Sequence, residues 1–323
     1  MSQPIRVAVI GVGYFGRFHA KHYAAAPQAQ LVAVVDTDEA RAREVAAEFG
    51  CEAARDYREL LGRVDAVSVA VPTPEHYAIA KALMEAGLHI FVEKPLTDSV
   101  ESAGALADLA EARERVLQVG HVERYSAAFR ALAGRVTRPL YIESYRIAPW
   151  RERGVEVDVI LDLMIHDIDI VVGLVGAPVT QVEAVGTPVL SGTTDLANAR
   201  VVFESGCVAN ITASRVSYKT ERRVRVFQPR QYVICDMAEG RIFQYQLRGD
   251  PAVEGPAAIA SDTVDIPKED SLANEIREFL DCVATGRKPT VDGRAGCEAV
   301  RVAGMINDSI RAHHRAALAA SGR

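Results

Sequence analysis

One stretch constrains this chain more than any other. Residues Ile5 to Asp36 read IRVAVIGVGYFGRFHAKHYAAAPQAQLVAVVD. The apolar run from Ile5 to Ile10 has the length and β-branched content of a buried strand. Gly11, Gly13 and Gly16 follow at GxGxxG spacing. A helical stretch from about Tyr14 to Ala26 comes next, and a second β-rich run from Leu31 to Val35 ends in Asp36. This is one βαβ unit of about 30 residues, with an acid about 20 residues beyond the last glycine. Gly11 allows a tight turn off the strand, Gly13 lets a pyrophosphate approach the backbone, and Gly16 lets helix and strand pack closely. The helix start, with Tyr14 and Phe15, offers free N–H groups and a partial positive charge to the phosphates. The Asp36 carboxylate can accept hydrogen bonds from the adenosine ribose and repels a 2′-phosphate, so NAD is expected over NADP.

The rest of the composition limits the class. The chain has 323 residues, enough for two domains. Its 49% hydrophobic and 25% charged content is that of an ordinary globular protein. A net charge of −6 argues against a nucleic-acid or anionic-membrane surface. The cysteines, Cys51, Cys207, Cys235, Cys282 and Cys297, are scattered without a CxxC pair. That fits neither a zinc site nor a disulfide framework and suits a reducing cytosol. A strand begins within the first residues, so no leader is expected and the location expected is cytoplasmic.

After Asp36 strand and helix alternate. A short element lies near Cys51, a strand at about 64–71, a helix at about 75–85, a strand at 88–92, a helix at about 99–114 and a strand at 116–119. Such repeats define a doubly wound parallel sheet, a Rossmann domain spanning residues 1–120. Residues 121–323 then form a second, α+β domain for substrate binding and oligomerisation. It holds one long apolar helix at about 158–175 and successive strands at 140–147, 179–185, 196–203, 207–214, 222–227, 232–236 and 241–246. Strands that follow one another without helices predict a large, mostly antiparallel sheet. Residues 249–261, rich in Gly, Pro and Ala, read as a loop. Two helices, at about 272–284 and 295–317, close the chain and can pack back on the first domain.

Several residues can carry chemistry. Glu93-Lys94-Pro95 follows a strand end, where open α/β sheets bind their ligands. Pro95 can hold a cis peptide, and a strand-ending turn with an exposed charge pair accounts for the motif equally well. Pro72, Thr73 and His76 stand at another strand end, and with Glu93 and Lys94 they are candidate cofactor contacts. Thr73 can touch the cofactor, or simply cap the next helix. Asp162, His166 and Asp169 lie in DLMIHDID, and helical spacing gives them one face. Burying them is costly unless they are partnered, which points to a use, although a satisfied structural network is the alternative. A single helix with this set is no recognised metal spacing, so no metal is expected. Arg215, Lys219, Arg222, Arg223, Arg225 and Arg230, and Arg146, Arg151 and Arg153 around Trp150, can bind a diphosphate. A solvated strand face or an intersubunit surface explains them as well. His121, Glu123, Arg124 and Tyr125 open the second domain as candidate substrate contacts.

Together these features resemble the glucose–fructose oxidoreductase/inositol dehydrogenase/MocA family. GVGYFG, the EKP after a strand and the Asp-x-x-x-His helix stand in that family's order, over essentially the whole chain. The family's second motif, G-x-x-x-D-x-G-x-H-x-x-D, is met at Asp162, His166 and Asp169. Asp158 and Met164 replace its glycines, which leaves the polar roles intact and alters the expected sugar pocket. The resemblance implies an NAD-dependent sugar dehydrogenase in which Lys94 and His166 are the catalytic pair and Asp162 the supporting acid. It also implies a ring held between the domains, and a homodimer or homotetramer. LMIHDID and GHVERY are most similar to bacterial UDP-N-acetylglucosamine 3-dehydrogenases, which prepare a 3-keto sugar for transamination on routes to lipid A or surface polysaccharide. An inositol or free-hexose dehydrogenase of the same family is the first alternative. A non-catalytic NAD-binding regulator is the second, and it would have no reason to keep Lys94, Asp162 and His166 together.

Overall fold

The computed structural model describes residues 3–151 and 157–320. The chain divides into two compact units. One runs to Tyr125 and takes in Asp270–Val300; the other comprises Ser126–Glu269 and the residues from Arg301 on.

The first unit contains β1 (Ile5–Ile10), α1 (Tyr14–Ala25), β2 (Ala29–Val35), α2 (Glu39–Phe49), β3 (Glu52–Ala54), β4 (Ala66–Val69), α3 (Thr73–Glu85), β5 (His89–Glu93), α4 (Val100–Ala112) and β6 (Leu117–Gly120). Its sheet has the order β3-β2-β1-β4-β5-β6 with every pair parallel. The order reverses between β1 and β4, the switch point where a doubly wound sheet opens a crevice. Side chains alternate between faces with a period of two. Val7 and Val9 join Ala66 and Phe91 in a core on the α1 and α2 side. Ala8 and Ile10 join Val67, Val69, Ile90 and Val92 against α3 and α4. The same alternation turns Ser68 and Glu93 toward α1.

The second unit contains α5 (Ala127–Ala133), β7 (Tyr141–Ile147), α6 (Ile165–Val175), β8 (Val179–Thr187), β9 (Leu196–Phe203), β10 (Val208–Ser214), β11 (Glu221–Gln228), β12 (Gln231–Asp236), β13 (Arg241–Leu247), α7 (Pro251–Glu254) and β14 (Ile259–Asp265). The sheet order is β14-β13-β12-β11-β7-β10-β9-β8, antiparallel except for the β7–β10 pair. Its inner face buries Ile142, Val224, Val226, Ile211, Ala199 and Val233.

Three features differ from the sequence reading. Residues 249–261 are not only loop: α7 and the start of β14 lie there. β14 is an edge strand with no buried residue, so pairing with β13 makes it a strand and no apolar pattern announces it. The helix expected over 158–175 begins with a π turn at Ile160–Met164 before α6 takes over. The first unit also extends past residue 120, to Tyr125. It includes α8 (Ser271–Thr285) and the start of α9 (Gly293–Ala320). Ile276 and Phe279 of α8 complete the core on the α1 side, and the Gln118 amide donates to the Glu275 carbonyl at 2.9 Å.

Candidate active site

The glycine-rich turn takes the form its spacing predicts. Gly11 has φ +80°, a conformation that disfavours any residue with a Cβ. A Cβ on Gly16 would lie 1.8 Å from the Gly11 carbonyl oxygen, so glycine is required for α1 to leave the strand so tightly. A Cβ on Gly13 would meet nothing within 4 Å. Gly13 therefore leaves open space at the helix start, as a phosphate cradle needs. Asp36, 8% exposed, accepts from the backbone N–H of Val12 at 3.0 Å and of Asp38 at 2.9 Å. The acid is thus fixed at the end of β2, and beyond these two bonds its oxygens meet, among the described residues, only the longer contacts of the Arg41 guanidinium, at 3.4 and 3.5 Å. Tyr14 and Phe15 are exposed, in edge contact with each other. These residues fit a dinucleotide.

At the next strand ends the outcomes diverge. Pro72 occupies the N-cap of α3 with no side-chain cap, so Thr73 is the first helical residue and not its cap. His76, placed by its position among the cofactor contacts, is buried. Its two ring nitrogens lie 2.9 Å from the carbonyl oxygens of Pro95 and Val71. It ties two strand-end turns together and has no nitrogen left for a ligand. The Lys94–Pro95 peptide is cis. Lys94 is half-buried. Glu93, also counted among the cofactor contacts, turns inward. One oxygen lies 2.8 Å from His19 Nε2, and the other accepts from the Lys94 backbone N–H at 3.2 Å. Burial pushes the Glu93 carboxyl up, but the His19 hydrogen bond, with the Lys94 charge and backbone N–H, outweighs it and holds it below its ordinary range.

His121 follows β6 and is fully buried, with both ring nitrogens lacking a partner. Burial lowers its pKa to about 3; Lys94 and Arg124 add to that and Glu93 opposes it. The imidazole is therefore neutral at physiological pH. Glu123 and Arg124 are half-buried. Tyr125 does not fit the role of a substrate contact: it is 6% exposed and belongs to the hydrophobic core that includes Leu96 and Val300.

In the second unit, Asp162 sits in the π turn and His166 in the first turn of α6, both half-buried, while Asp169 is buried. π turns recur at functional sites because they re-aim side chains along a helix. Asp158, where the family motif has glycine, caps this turn: its carboxylate accepts from Leu161 N at 2.9 Å and from the Asn307 amide at 3.2 Å. Arg151 is exposed, and Arg153 lies outside the described residues.

The arginines do not converge. Arg146 is buried on the inner sheet face, 2.7 Å from Asp167 Oδ2. Arg215 is buried beside Asp195 and donates to the Thr194 carbonyl. Arg223 and Arg225 lie on the opposite sheet face, paired with Glu221 at 2.6 Å and Glu143 at 2.5 Å. The structure thus satisfies these cations by carboxylates of their own unit. A groove of about 740 Å³ lies at the amino ends of β5 and β6, lined by His89, Arg115, Arg287 and Arg294. It is at the opposite end of the sheet from the glycine loop, and Arg287 and Arg294 are matched there by Glu278 and Glu111.

Sequence reasoning missed His19, Tyr23 and Ser68, which form a buried polar chain behind Glu93. His19 Nδ1 lies 3.0 Å from Ser68 Oγ, which lies 2.8 Å from the Tyr23 hydroxyl. The available signal was the i, i+4 spacing of His19 and Tyr23 on the face of α1 that meets the sheet.

A Rossmann unit with a fixed acid at β2, a lysine at the end of β5 and a second unit with Asp and His on one helix define a nicotinamide-dependent oxidoreductase. Residues 5–121 match the oxidoreductase family with an NAD-binding Rossmann fold, and residues 126–234 match the GFO/IDH/MocA C-terminal domain. The chain belongs to the GFO/IDH/MocA oxidoreductase family. It is 41% identical to UDP-N-acetylglucosamine 3-dehydrogenase of Acidithiobacillus ferrooxidans, over 95% of this chain and 98% of that one. It is 31% identical to scyllo-inositol 2-dehydrogenase (NAD(+)) of Bacillus subtilis, over 90% of each. The solved structure of the Acidithiobacillus enzyme superposes with a TM-score of 0.90, covering 96% of this chain and 99% of that one.

Proposed function

We propose that this chain is an NAD-dependent dehydrogenase that oxidises the 3-hydroxyl of UDP-N-acetylglucosamine to a 3-ketone. The observation that carries this reading is the 41% identity to an enzyme of that name, across nearly the full length of both chains. NAD fits Gly11, Gly13, Gly16, Tyr14, Phe15 and Asp36, with Pro72, Thr73 and Lys94 at the neighbouring strand ends. When bound it supplies the hydride acceptor for the carbinol carbon.

The chain's own residues handle the proton and the charge. His166 takes the hydroxyl proton, since imidazole is the side chain suited to proton transfer near neutrality. Asp162 supports the imidazolium that results. The Lys94 ammonium stabilises the negative charge that builds on the oxygen as the proton leaves. Glu123, Arg124 and Arg151 are the sugar and diphosphate contacts of this reading, and His121, fully buried, is not among them. Nor are His76 and Tyr125, because both are used inside the fold. The 3-keto product suits a transaminase that installs an amine, on a route to lipid A or surface polysaccharide, in the cytoplasm. A homodimer or homotetramer is supported by the outer face of the second sheet, where Tyr141, Phe227 and Tyr232 form a row of neighbouring rings.

The test is turnover. The purified chain with NAD and UDP-N-acetylglucosamine should generate absorbance at about 340 nm, and borodeuteride trapping should place deuterium at C3. Turnover of scyllo- or myo-inositol instead, with none of the nucleotide sugar, would replace this substrate by a cyclitol.

A further inference from the structure

We infer that Glu93 and His19 form a buried positioning pair for Lys94, fixing its backbone and keeping a permanent negative charge beside its ammonium. This rests on the reading of Lys94 as the group that stabilises the alkoxide.

The argument begins with direction. On β5 the period of two puts Phe91 and Glu93 on the α1 side of the sheet. There the His19 ring meets Phe91 edge-on, with centroids 4.8 Å apart. His19, Ser68 and Tyr23 are all fully buried. One arrangement of protons satisfies the whole chain. The Tyr23 hydroxyl donates to Ser68 Oγ, Ser68 donates to His19 Nδ1, and His19 Nε2–H donates to Glu93. Every donation runs the same way and ends on the carboxylate, at 2.8 Å. Burying a carboxylate costs several kcal/mol unless such bonds are made. The network therefore holds Glu93 ionised where a plain strand end needs no acid.

The other Glu93 oxygen binds the Lys94 N–H at 3.2 Å. The slot for it exists because β6 ends in glycine: a Cβ on Gly120 would lie 2.8 Å from Glu93 Oε2. The next residue is His121, whose ring feels Lys94, Arg124 and Glu93. The charges that act on the His121 ring are those of Lys94, Arg124 and the Glu93 anion. His19 lies behind that anion, and Tyr23 and Ser68 lie behind His19. The Glu93 anion and the Lys94 charge stabilise each other, so Glu93 favours a protonated Lys94. The two residues are chain neighbours, and a neighbouring opposite charge shifts a titration by about 1–3 pH units.

Two measurements test this. Competitive acetylation of the apo-protein, read for the Lys94 peptide by mass spectrometry across pH, reports the ionisation of Lys94 without any turnover. In Glu93→Gln, which keeps the shape and removes the charge, the midpoint should fall by about one pH unit. The alkaline limb of kcat against pH should move by the same amount while NAD affinity stays within about threefold. His19→Asn keeps the carboxylate and removes the clamp. It should lower kcat at least about tenfold with KM little changed. An unmoved Lys94 midpoint in Glu93→Gln, or an unmoved kcat in a folded His19→Asn, overturns the inference and leaves the network as packing. Should Glu93→Gln not fold, the His19→Asn measurement decides alone. Failure of the underlying reading looks different: Lys94→Ala would then keep its turnover.

Discussion

The Asp36 carboxylate accepts a hydrogen bond from the backbone N–H of Val12 at 3.0 Å. The acid that ends β2 therefore also holds the glycine-rich turn against it. Arg41 approaches the same carboxylate at 3.4 Å from a half-exposed position. Asp36 fixes the loop and repels a 2′-phosphate, while Arg41 would attract one. With Asp36 present, NAD should bind at least about tenfold more tightly than NADP. In Asp36→Ala the preference should shrink, because Arg41 remains, and NAD affinity should itself fall as the loop loosens. Fluorescence titration with both reduced nucleotides checks this. Equal affinities in the unaltered chain would mean that Asp36 does not face the ribose.

Gly13 and Gly16 belong to one motif and should fail in different ways. A methyl group on Gly16 would overlap the Gly11 carbonyl oxygen at 1.8 Å, so the helix must move. Gly16→Ala should cost roughly 2–4 kcal/mol of stability. A methyl group on Gly13 meets nothing within 4 Å. Gly13→Ala should fold within about 1 kcal/mol of the parent and yet bind NAD at least about tenfold more weakly. Urea midpoints and nucleotide titrations on the two variants separate a packing glycine from a ligand glycine.

The difference between these glycines also marks what the sequence discloses. GxGxxG spacing, β-branched runs and the terminal acid are local signals, and β1, α1, β2 and Asp36 stand where those signals put them. EKP stands at a strand end because it follows five residues of apolar strand. What local pattern cannot disclose is which way a polar side chain turns. Glu93 faces inward because His19, 74 positions away, waits there. His76 faces two carbonyls supplied by residues on either side of it in sequence. Arg222 and Arg223 read as one cluster, yet a strand sends neighbours to opposite faces, and the pairing with β7 decides which face is buried. The π turn around Asp162 has no periodic signature in a run apolar on every side.

His166 and Lys94 give the test of the chemistry. His166→Asn should keep the fold and NAD binding and lower turnover by about 10²–10⁴-fold, the usual contribution of a positioned acid–base group. Lys94→Ala should lose a comparable amount. The double variant should lose less than the product of the two, because in the proposed mechanism the groups act as a unit. Steady-state kinetics with the correct sugar are the measurement. Full activity in His166→Asn would leave Asp162, His166 and Asp169 as a structural cluster.

Arg225 separates two roles for the basic strand. Its guanidinium pairs with Glu143, donates to the Tyr232 hydroxyl at 2.6 Å and lies over the Phe227 and Tyr232 rings. A cation so engaged is poorly placed to hold a diphosphate. If the proposed homodimer or homotetramer forms through this face, Arg225→Ala should leave the sugar KM within about twofold and change the concentration at which that assembly dissociates, because an interface residue acts on association. Sedimentation velocity beside initial-rate kinetics checks both. A large rise in KM with unaltered assembly would return the strand to the substrate.

His121 makes the last prediction, on stability against pH. Its ring is fully buried and lacks a hydrogen-bond partner, and its pKa falls from 6.5 to about 3, chiefly through burial. Below pH 6.5 the unfolded chain takes up a proton at this residue and the folded chain does not. Unfolding then binds protons, so stability must rise with pH between about 3 and 6.5. The slope from one such group is about 1.4 kcal/mol per pH unit, or roughly 2 kcal/mol between pH 6.5 and 5. Glu93 works in the same sense but lower down, since its depressed pKa gives up stability only as the pH falls into the acid range. His22 and His89 are lowered by burial as well, so the parent alone does not isolate His121. The comparison with His121→Leu does. That variant removes one titrating group, leaves no orphaned polar atom, and should lose about 2 kcal/mol less than the parent between pH 6.5 and 5. Urea unfolding of both proteins at the two pH values measures the difference. Parallel pH dependence would mean that the His121 ring is protonated, or reached by water, inside the folded chain.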